Sequence, residues 1–281
     1  MTHEVWRVSG AGNDFLALAD PETAPAPDAV REWCRRGASL GADGLFVLRS
    51  GDPVVMEYWN ADGSPAGLCL NGARCAAQLA FELGWAGSEM PLATGAGVLQ
   101  ARRLDARSVE LEVPILPRDG CDLEVAMEAS AVPACAIRVG VPHLVVSWAR
   151  DLSACPVQIL GPALRRDPRL GVEGANVHFV RWPDARTLEI RSFERGVEAE
   201  TLACGTGVLA AVAVGLARHD LRLPVTARTR GGFDLRVSGT ATGGAVREWR
   251  LAGDARVLAK ERVRPEARNL PEPRWSQGSR A

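Results

Sequence analysis

Two cysteines stand at the start of similar segments of this sequence, almost half of the chain apart. Residues 69–77 read CLNGARCAA and residues 204–212 read CGTGVLAAV, so each segment is a cysteine, a short turn with glycine and an apolar, alanine-containing run. Both runs predict helices. Each cysteine would then lie at a helix N-terminus, where unpaired backbone N–H groups lower a thiol pKa and can bind a carboxylate.

Two helix ends of this kind, placed face to face, could invert a carbon that carries a carboxylate. The N–H groups would hold the α-carboxylate and stabilise the carbanion that forms beside it. One cysteine, as thiolate, would remove the α-proton, and the other, as thiol, would return a proton to the opposite face. This chemistry predicts that Cys69 and Cys204 form a catalytic pair.

The elements that would position the pair are mostly strands. Apolar and polar residues alternate over residues 109–113, 188–191, 233–237 and 246–251, which predicts half-buried strands. Helices are predicted over residues 28–36, 75–83 and 208–217. The repeated cysteine segment suggests an internal duplication with a boundary near residues 114–121. The alternative is that two alanine-rich helices resemble each other by chance.

Composition excludes several classes of protein. The net charge of −1 over 281 residues gives no electrostatic footprint for a nucleic acid or an anionic membrane surface. The N-terminus has no basic stretch followed by a long apolar run, and the longest apolar run is too short to span a membrane. We therefore expect a cytoplasmic protein.

The sequence also lacks the usual signs of a cofactor. Its seven cysteines are irregularly spaced, which favours neither a disulfide framework nor a zinc site. Lys260 is the only lysine and lies in a polar stretch near the C-terminus, so a pyridoxal phosphate Schiff base is improbable. The glycine-rich motifs that bind nucleotide phosphates are missing. We expect no cofactor and no metal.

Further motifs follow one another in a recognisable order. They are SGAGNDF at residues 9–15, LGADGL at 40–45, WNADGS at 59–64, CLNGARC at 69–75, GVPH at 140–143, GANVHF at 174–179, FERG at 193–196 and ETLACGTG at 200–207. Through this ordered set, the sequence resembles the diaminopimelate epimerase family over nearly its whole length, to about residue 263.

The resemblance implies an α+β fold of two pseudo-symmetric, barrel-like β domains, each wrapped around a central helix. The active site would lie in the cleft between them. The N-terminal half is expected at residues 1–117, with a returning C-terminal strand at about 254–263, and the C-terminal half at 118–253. Residues 264–281 are polar and contain three prolines, and we expect a disordered tail there.

The resemblance also assigns site residues. Cys69 and Cys204 match the catalytic cysteines, and His143 and Glu194 match residues that help to set the protonation of those thiols. The residues expected to bind the substrate are Asn13, Asn60, Leu70, Asn71, Asn176, Arg195, Gly205 and Thr206. Four of them, at positions 70, 71, 205 and 206, would offer backbone N–H groups to the reacting carboxylate. The implied partner is a small amino-acid substrate, and a homodimer is a possible assembly.

Four positions depart from the family pattern. Leu70 replaces a glycine, Gly44 a glutamine, Val141 an asparagine and Gly174 an arginine. The proton-transfer residues are all present, so the leading hypothesis is interconversion of LL- and meso-diaminopimelate, for lysine and peptidoglycan precursor synthesis.

Other functions stay open. The Val141 side chain cannot donate a hydrogen bond to a substrate, so a two-cysteine racemase of another amino acid, such as histidine or proline, is the first alternative. An isomerase with a carboxylate base and a non-catalytic small-molecule binding protein are weaker alternatives.

Overall fold

The computed structural model describes residues 3–114, 118–127, 130–242 and 245–263, which hold eighteen strands and four α-helices. The strands are β1 (His3–Gly10), β2 (Asn13–Ala19), β3 (Gly44–Arg49), β4 (Val54–Asn60), β5 (Pro65–Ala66), β6 (Glu89–Thr94), β7 (Gly97–Asp105), β8 (Ser108–Glu112), β9 (Arg118–Met127), β10 (Ser130–Val139), β11 (Val141–Ser147), β12 (Asn176–Asp184), β13 (Thr187–Glu194), β14 (Ala199–Thr201), β15 (Val225–Thr229), β16 (Asp234–Thr242), β17 (Ala245–Asp254) and β18 (Arg256–Val263). The helices are α1 (Pro27–Cys34), α2 (Leu70–Glu82), α3 (Val157–Arg165) and α4 (Gly205–Arg218). Short 3₁₀ turns lie at Leu152–Ala154 and Pro168–Leu170.

The strands pair in the same order twice. The first series runs β18, β1, β2, β3, β4, β6, β7, β8, and the second runs β9, β10, β11, β12, β13, β15, β16, β17. Parallel pairs fall at equivalent places, β2 with β3 and β4 with β6 in one series, β11 with β12 and β13 with β15 in the other. The expected pseudo-symmetric α+β fold is confirmed.

The helices occupy equivalent places in the two series. Helices α1 and α3 each connect the first parallel strand pair of their series, and α2 and α4 each connect the second pair. Strand β17 pairs with β8 and so joins the two series, while β18 crosses back to pair with β1. The exact residue bounds of the two halves stay a prediction, and the predicted tail at residues 264–281 lies outside the described residues.

Each series wraps around one buried helix. Strands of the first series lie against α2, and strands of the second lie against α4. Helix α2 is buried along its length except at Glu82, and α4 is buried through its first eleven residues apart from Thr206 and Ala213. Many of the buried side chains are alanine or glycine, which let the strands approach the helix backbone closely. Within the described residues, no helix is long and apolar enough to cross a membrane.

The helices begin earlier than the sequence pattern predicts. Helix α2 starts at Leu70 instead of Cys75, and α4 starts at Gly205 instead of Val208. Glycine and asparagine are poor helix formers, but the first turn of a helix tolerates them. The two catalytic candidates, Cys69 and Cys204, are therefore the N-cap residues themselves.

Helix α1 also differs from its prediction of residues 28–36. It spans Pro27–Cys34, and its N-cap is Ala26. Proline suits the first helical position because its fixed φ is already helical and its missing N–H would be unpaired there. Asp28 lies in the first turn instead, where its charge favours the helix dipole.

A buried ion pair fixes the segment that leads to Cys204. Arg191 on β13 contacts Glu200 on β14 through two bonds, Nε to Oε1 at 2.6 Å and Nη2 to Oε2 at 2.8 Å. Arg191 Nη1 also donates to the carbonyl oxygens of Leu152, Ser153 and Cys155. The Glu200 side chain is only 4% exposed. The planar guanidinium of Arg191 therefore holds β14, and the segment between β14 and α4, against the second series of strands.

Replacing Arg191 by lysine should lower the free energy of unfolding by about 2 kcal/mol, because an ammonium cannot make the two-bond contact and reach the carbonyls together. Denaturant unfolding measures this loss. The matched control is Arg181→Lys, whose guanidinium makes a single, more exposed contact with Glu189 at 3.5 Å. Equal losses of stability in the two variants would show that the Arg191 contacts with Glu200 and the carbonyl oxygens are not specially stabilising.

Candidate active site

The N-termini of α2 and α4 meet end to end. A β-carbon built on Gly205, the first residue of α4, would lie 2.9 Å from Cβ of Leu70, the first residue of α2. The Asn71 side chain crosses the junction and donates from Nδ2 to the Ala203 carbonyl at 3.0 Å. The two cysteine N-caps therefore stand on either side of one junction, with the free N–H groups of two helices around it.

Asn71 is the hub of this junction. Its Nδ2 also donates to Asn13 Oδ1 at 2.7 Å, and its Oδ1 accepts from Arg74 Nη2 at 2.8 Å. Arg74 is fully buried, and its Nε donates to the Asp254 carbonyl at 3.3 Å. The side chain of Asn71 is thus bound within the protein, where it holds the junction together.

Cys69 accepts hydrogen bonds from the start of its own helix. The Gly72 N–H donates to Sγ at 3.4 Å, and the Asn71 N–H also stabilises the thiolate. These bonds and the Arg74 guanidinium lower the pKa, but removal from water outweighs them, and the pKa of Cys69 lies above its ordinary value. The prediction that the helix end gives a low pKa is therefore wrong in its net direction.

Cys204 has a different neighbour. Burial raises the pKa of its thiol well above the ordinary value, and the negative charge of Glu194 raises it further. Thr206 Oγ1 lies 3.7 Å from the Cys204 sulfur, and this contact and the Gly207 N–H act in the opposite direction. Burial and the interaction with Glu194 therefore both favour the thiol form of Cys204.

Glu194 is itself tuned by its surroundings. Burial raises the pKa of its carboxyl group, while hydrogen bonds from the Thr201 hydroxyl and the Cys204 thiol lower it. Its position at the end of β13, paired with β14, aims it at the N-terminus of α4. The structure therefore places Glu194 beside a cysteine, as predicted from the resemblance.

His143 lies in a buried chain of polar side chains. Its Nδ1 is 2.8 Å from Nε2 of His178, and Nδ1 of His178 is 2.8 Å from the Ser192 hydroxyl. Burial lowers the pKa of His143 to about 4, so its ring is neutral near pH 7. The His178 ring packs on α4, where a β-carbon on Gly207 would lie only 2.2 Å from it. The contacts of His143 thus lead through His178 to the first turn of α4, the helix that begins directly after Cys204.

The other predicted binding residues surround the junction at different depths. Asn13 donates to Asp43 Oδ2 at 2.9 Å and lies beside Asn71. Asn176 is buried and its Oδ1 accepts from the Arg195 backbone N–H at 2.8 Å. The exposed Asn60 side chain donates to Ser64 Oγ at 3.1 Å.

The guanidinium of Arg195 is paired in this structure. Its Nη1 contacts Glu173 Oε2 at 3.0 Å, so a carboxylate already lies where the distal carboxylate of a substrate was expected. Across the described residues, no three His, Cys, Asp or Glu side chains group as metal ligands.

Comparison with known proteins decides the family. The family model described as diaminopimelate epimerase matches residues 5–111 and 135–247, which include both cysteine segments. The diaminopimelate epimerase of Gemmatimonas aurantiaca is 38% identical over 247 residues, 82% of this chain and 86% of that protein. That of Aquifex aeolicus is 34% identical over 247 residues, 82% and 87% of the two chains. The chain belongs to the diaminopimelate epimerase family.

Solved structures agree with the family on the fold. A hydroxyproline epimerase from Agrobacterium vitis, with bound trans-4-hydroxy-L-proline, superposes with a TM-score of 0.69 at 16% identity, over 96% of this chain and 95% of that one. A phenazine biosynthesis protein of the PhzF family from Bacillus anthracis gives a TM-score of 0.67 at 14% identity, over 94% and 99%. At these identities the likeness establishes the architecture alone.

Two departures from the diaminopimelate epimerase pattern have structural explanations. Leu70 is a regular first helical residue without positive φ, and its side chain packs on Gly205 at the junction, so it causes no backbone strain. Gly174 has a φ of +64°, and a β-carbon there would lie 2.3 Å from the Arg165 carbonyl oxygen. A larger residue does not fit this turn.

Four residues of the site were missed at the sequence level. Tyr58 lies on the strand face that meets the start of α2 and Cys69, and Arg74 and Asp43 bind the asparagines around it. His178 pairs with His143. Alternation along β4 would have placed Tyr58 on the same face as Asn60, two residues later. Helical spacing along α2 would have placed Arg74 on the same face as Asn71, three residues earlier.

Substituting Gly205 by alanine should lower the free energy of unfolding by about 1–3 kcal/mol, because the added methyl group meets Leu70. In a Leu70→Gly background the same substitution should be less destabilising, since the nearest contact is gone. Thermodynamic cycles from denaturant unfolding measure this coupling. Gly72→Ala is the control, because its nearest neighbour, Met56 Cε, is at an ordinary 3.4 Å. Simple additivity of the two changes would refute the junction contact.

Replacing Glu194 by glutamine should increase the alkylation rate of Cys204 near pH 8 roughly tenfold. Loss of the negative charge lowers the pKa of Cys204, so a larger fraction is thiolate at a given pH. Iodoacetamide labelling with peptide mass spectrometry gives the rate for each cysteine. The control is Glu173→Gln, an exposed carboxylate paired with Arg195. A slower or unchanged rate in E194Q alone would mean that Glu194 does not act on Cys204.

Proposed function

We propose that this chain interconverts LL- and meso-diaminopimelate without a cofactor, by proton transfer between Cys69 and Cys204. The observation that carries the proposal is the junction of α2 and α4, where each helix begins directly after one of the cysteines. The relatives named diaminopimelate epimerase supply the substrate. The product serves lysine and peptidoglycan precursor synthesis.

Cys69 is the base and acts in its thiolate form. Hydrogen bonds from the Gly72 and Asn71 N–H groups and the charge of Arg74 favour this form, while burial and the charge of Glu194 oppose it. At Cys204, burial and Glu194 favour the protonated form more strongly. The α-carbon–hydrogen bond breaks, the proton forms an S–H bond on Cys69, and the electron pair moves into the carboxylate. The Cys204 thiol then donates its proton to the opposite face, and its sulfur keeps the S–H electron pair.

The two helix ends stabilise the charge that develops on the carboxylate. The backbone N–H groups of Leu70, Asn71, Gly205 and Thr206 belong to the first turns of the two facing helices. They are fixed before the reaction begins, so no reorganisation is needed when negative charge moves onto the carboxylate oxygens. The geometry of two facing helix ends suits a planar dianion better than it suits a neutral acid.

The distal end of the substrate lies on the side of Asn176, Arg195 and Glu173. A substrate carboxylate would replace Glu173 on the Arg195 guanidinium, and the freed Glu173 would accept from the distal ammonium group. This arrangement provides both charges of the distal amino acid although Val141 offers no donor. Asn13 and Asn60 line the side of the first series of strands.

The pH dependence follows from the two thiols. Activity rises with pH as Cys69 loses its proton, and it falls when Cys204 loses the proton that it must donate, which gives a bell-shaped profile. Both thiol pKa values are raised, so the optimum lies on the alkaline side of neutrality. His143 is neutral throughout this range and contributes neither limb.

Localisation in the cytoplasm and assembly as a homodimer are further parts of this proposal. The proposed reaction draws on the pool of amino-acid precursors in the cytoplasm, which supports the first. Light scattering of the purified protein tests the second.

Incubation with LL-diaminopimelate in D₂O, followed by proton NMR, tests the activity. We expect deuterium at the α-carbon together with formation of the meso isomer. Cys69→Ala and Cys204→Ala should each lower inversion by at least ~10²-fold, since each removes one proton carrier. Cys121→Ala, at an exposed cysteine, is the control and should retain activity.

The same experiment separates the alternatives. Inversion that survives either substitution would refute the two-cysteine mechanism. Failure of diaminopimelate to exchange, with exchange of histidine or proline in a substrate panel, would favour the racemase hypothesis. No exchange of any amino acid, with slow alkylation of both thiols, would favour a binding protein.

A further inference from the structure

Position 44 of this chain has no room for a side chain. Gly44 begins β3 and pairs with Asn60 at the end of β4. A β-carbon on Gly44 would lie 2.7 Å from the Tyr58 hydroxyl oxygen and 2.7 Å from the Trp59 carbonyl oxygen. The phenol of Tyr58 therefore occupies the space in front of Gly44.

Tyr58 is held there by packing. Its side chain is only 9% exposed, and its ring meets the Phe15 ring edge to face with centroids 6.2 Å apart. Its strand neighbour across β3 is Phe46. A phenol fixed by aromatic neighbours on an inner strand has few rotamers available, so its hydroxyl has a defined position.

Met56, two residues earlier on the same buried face of β4, shows what this face meets: its Cε lies 3.4 Å from a β-carbon built on Gly72, and the Cys69 sulfur lies 3.7 Å from the same β-carbon. Tyr58 therefore lies on the face of β4 that packs against the start of α2 and Cys69.

We propose that the Tyr58 hydroxyl donates a hydrogen bond to the Cys69 sulfur and stabilises it as the thiolate base. The inference rests on the proposed function for the identity of Cys69 as the reacting group. Tyr58 is then a side-chain donor that positions the sulfur and stabilises its charge, in addition to the main-chain N–H donors.

The charges around Tyr58 explain why it acts only as a donor. The carboxylates of Asp43 and Glu194 face it, and together with burial and Cys69 they raise the pKa of the phenol well above its ordinary value. The cations nearby are engaged elsewhere, since Arg36 contacts Asp43 and Arg74 contacts Asn71. The raised pKa favours the neutral phenol, which is the form that can donate.

The contact also makes the two cysteines unequal. Both sulfurs receive N–H donors, but the Tyr58 hydroxyl acts on Cys69, whereas Cys204 interacts with the Glu194 carboxylate as well as with the Thr206 hydroxyl. A hydrogen bond to a charged acceptor is stronger than one to a neutral acceptor, so the phenol favours the thiolate over the thiol. Removing it should make Cys69 harder to ionise.

The first test measures alkylation of Cys69 as a function of pH in the wild type and in Tyr58→Phe. We expect Cys69 to react roughly tenfold more slowly near pH 8 in the variant, with its profile moved to higher pH. Cys204 and the exposed Cys121 are references within the same chain.

The second test uses the fact that Tyr58 is the only tyrosine. Labelling with tyrosine carrying ¹³C at the hydroxyl-bearing carbon gives one NMR signal. That signal should move with pH at the midpoint of Cys69 alkylation in the wild type, and it should lose this step in Cys69→Ala. This readout needs no Tyr58 variant to fold.

Either result can overturn the proposal. Coincident Cys69 profiles in the wild type and Y58F, or a tyrosine signal that ignores the Cys69→Ala substitution, would show that the phenol does not bind the sulfur. Both measurements are made without substrate. They therefore stand even if diaminopimelate fails to exchange, and that failure would refute the proposed function separately.

Discussion

The packing of the α2 and α4 N-termini against each other is the constraint on which the structure depends. Each helix end carries partial positive charge, so bringing the two together is electrostatically unfavourable. Asn71 bridges the junction to the Ala203 carbonyl, Leu70 fills the space above Gly205, and the nearby carboxylate of Glu194 offsets the positive ends. The two series of strands hold the helices in line, and the gap between the two helix ends favours the binding of an anion.

The pKa values of the two thiols do not follow the simple expectation for a helix N-terminus, because both thiols are buried. In water the dipole and N–H donors would decide the thiol pKa, but inside the protein the loss of solvation is the larger effect. The protein does not reverse this effect equally at both sulfurs. The charge of Glu194 raises the pKa of both thiols, but at Cys69 the Arg74 guanidinium acts against it. This difference favours Cys69 as the sulfur that ionises first.

The fold class and the placement of both cysteines could be predicted from the sequence, because short motifs specify helix starts and alternation specifies strands. Helix starts were late by three to five residues, because asparagine and glycine give weak helix signals although the first turn accepts them. Tyr58, Asp43 and His178 could not be assigned, since their partners are set by strand register. Gly44 meets Asn60 across β3 and β4, and His143 meets Asn176 across β11 and β12. The direction of the thiol pKa could not be predicted either, because burial is a property of the assembled fold.

The pairing of β18 with β1 carries a consequence for biosynthesis. Strand β1 is synthesised before the second series of strands, and its partner β18 is synthesised after that series. The first series of strands therefore lacks one edge partner until the second series has been synthesised. Domains generally fold in the order in which they emerge, but here the N-terminal half cannot be completed before the C-terminal half. An open strand edge of this length is a point at which a nascent chain is exposed to aggregation or to chaperone binding.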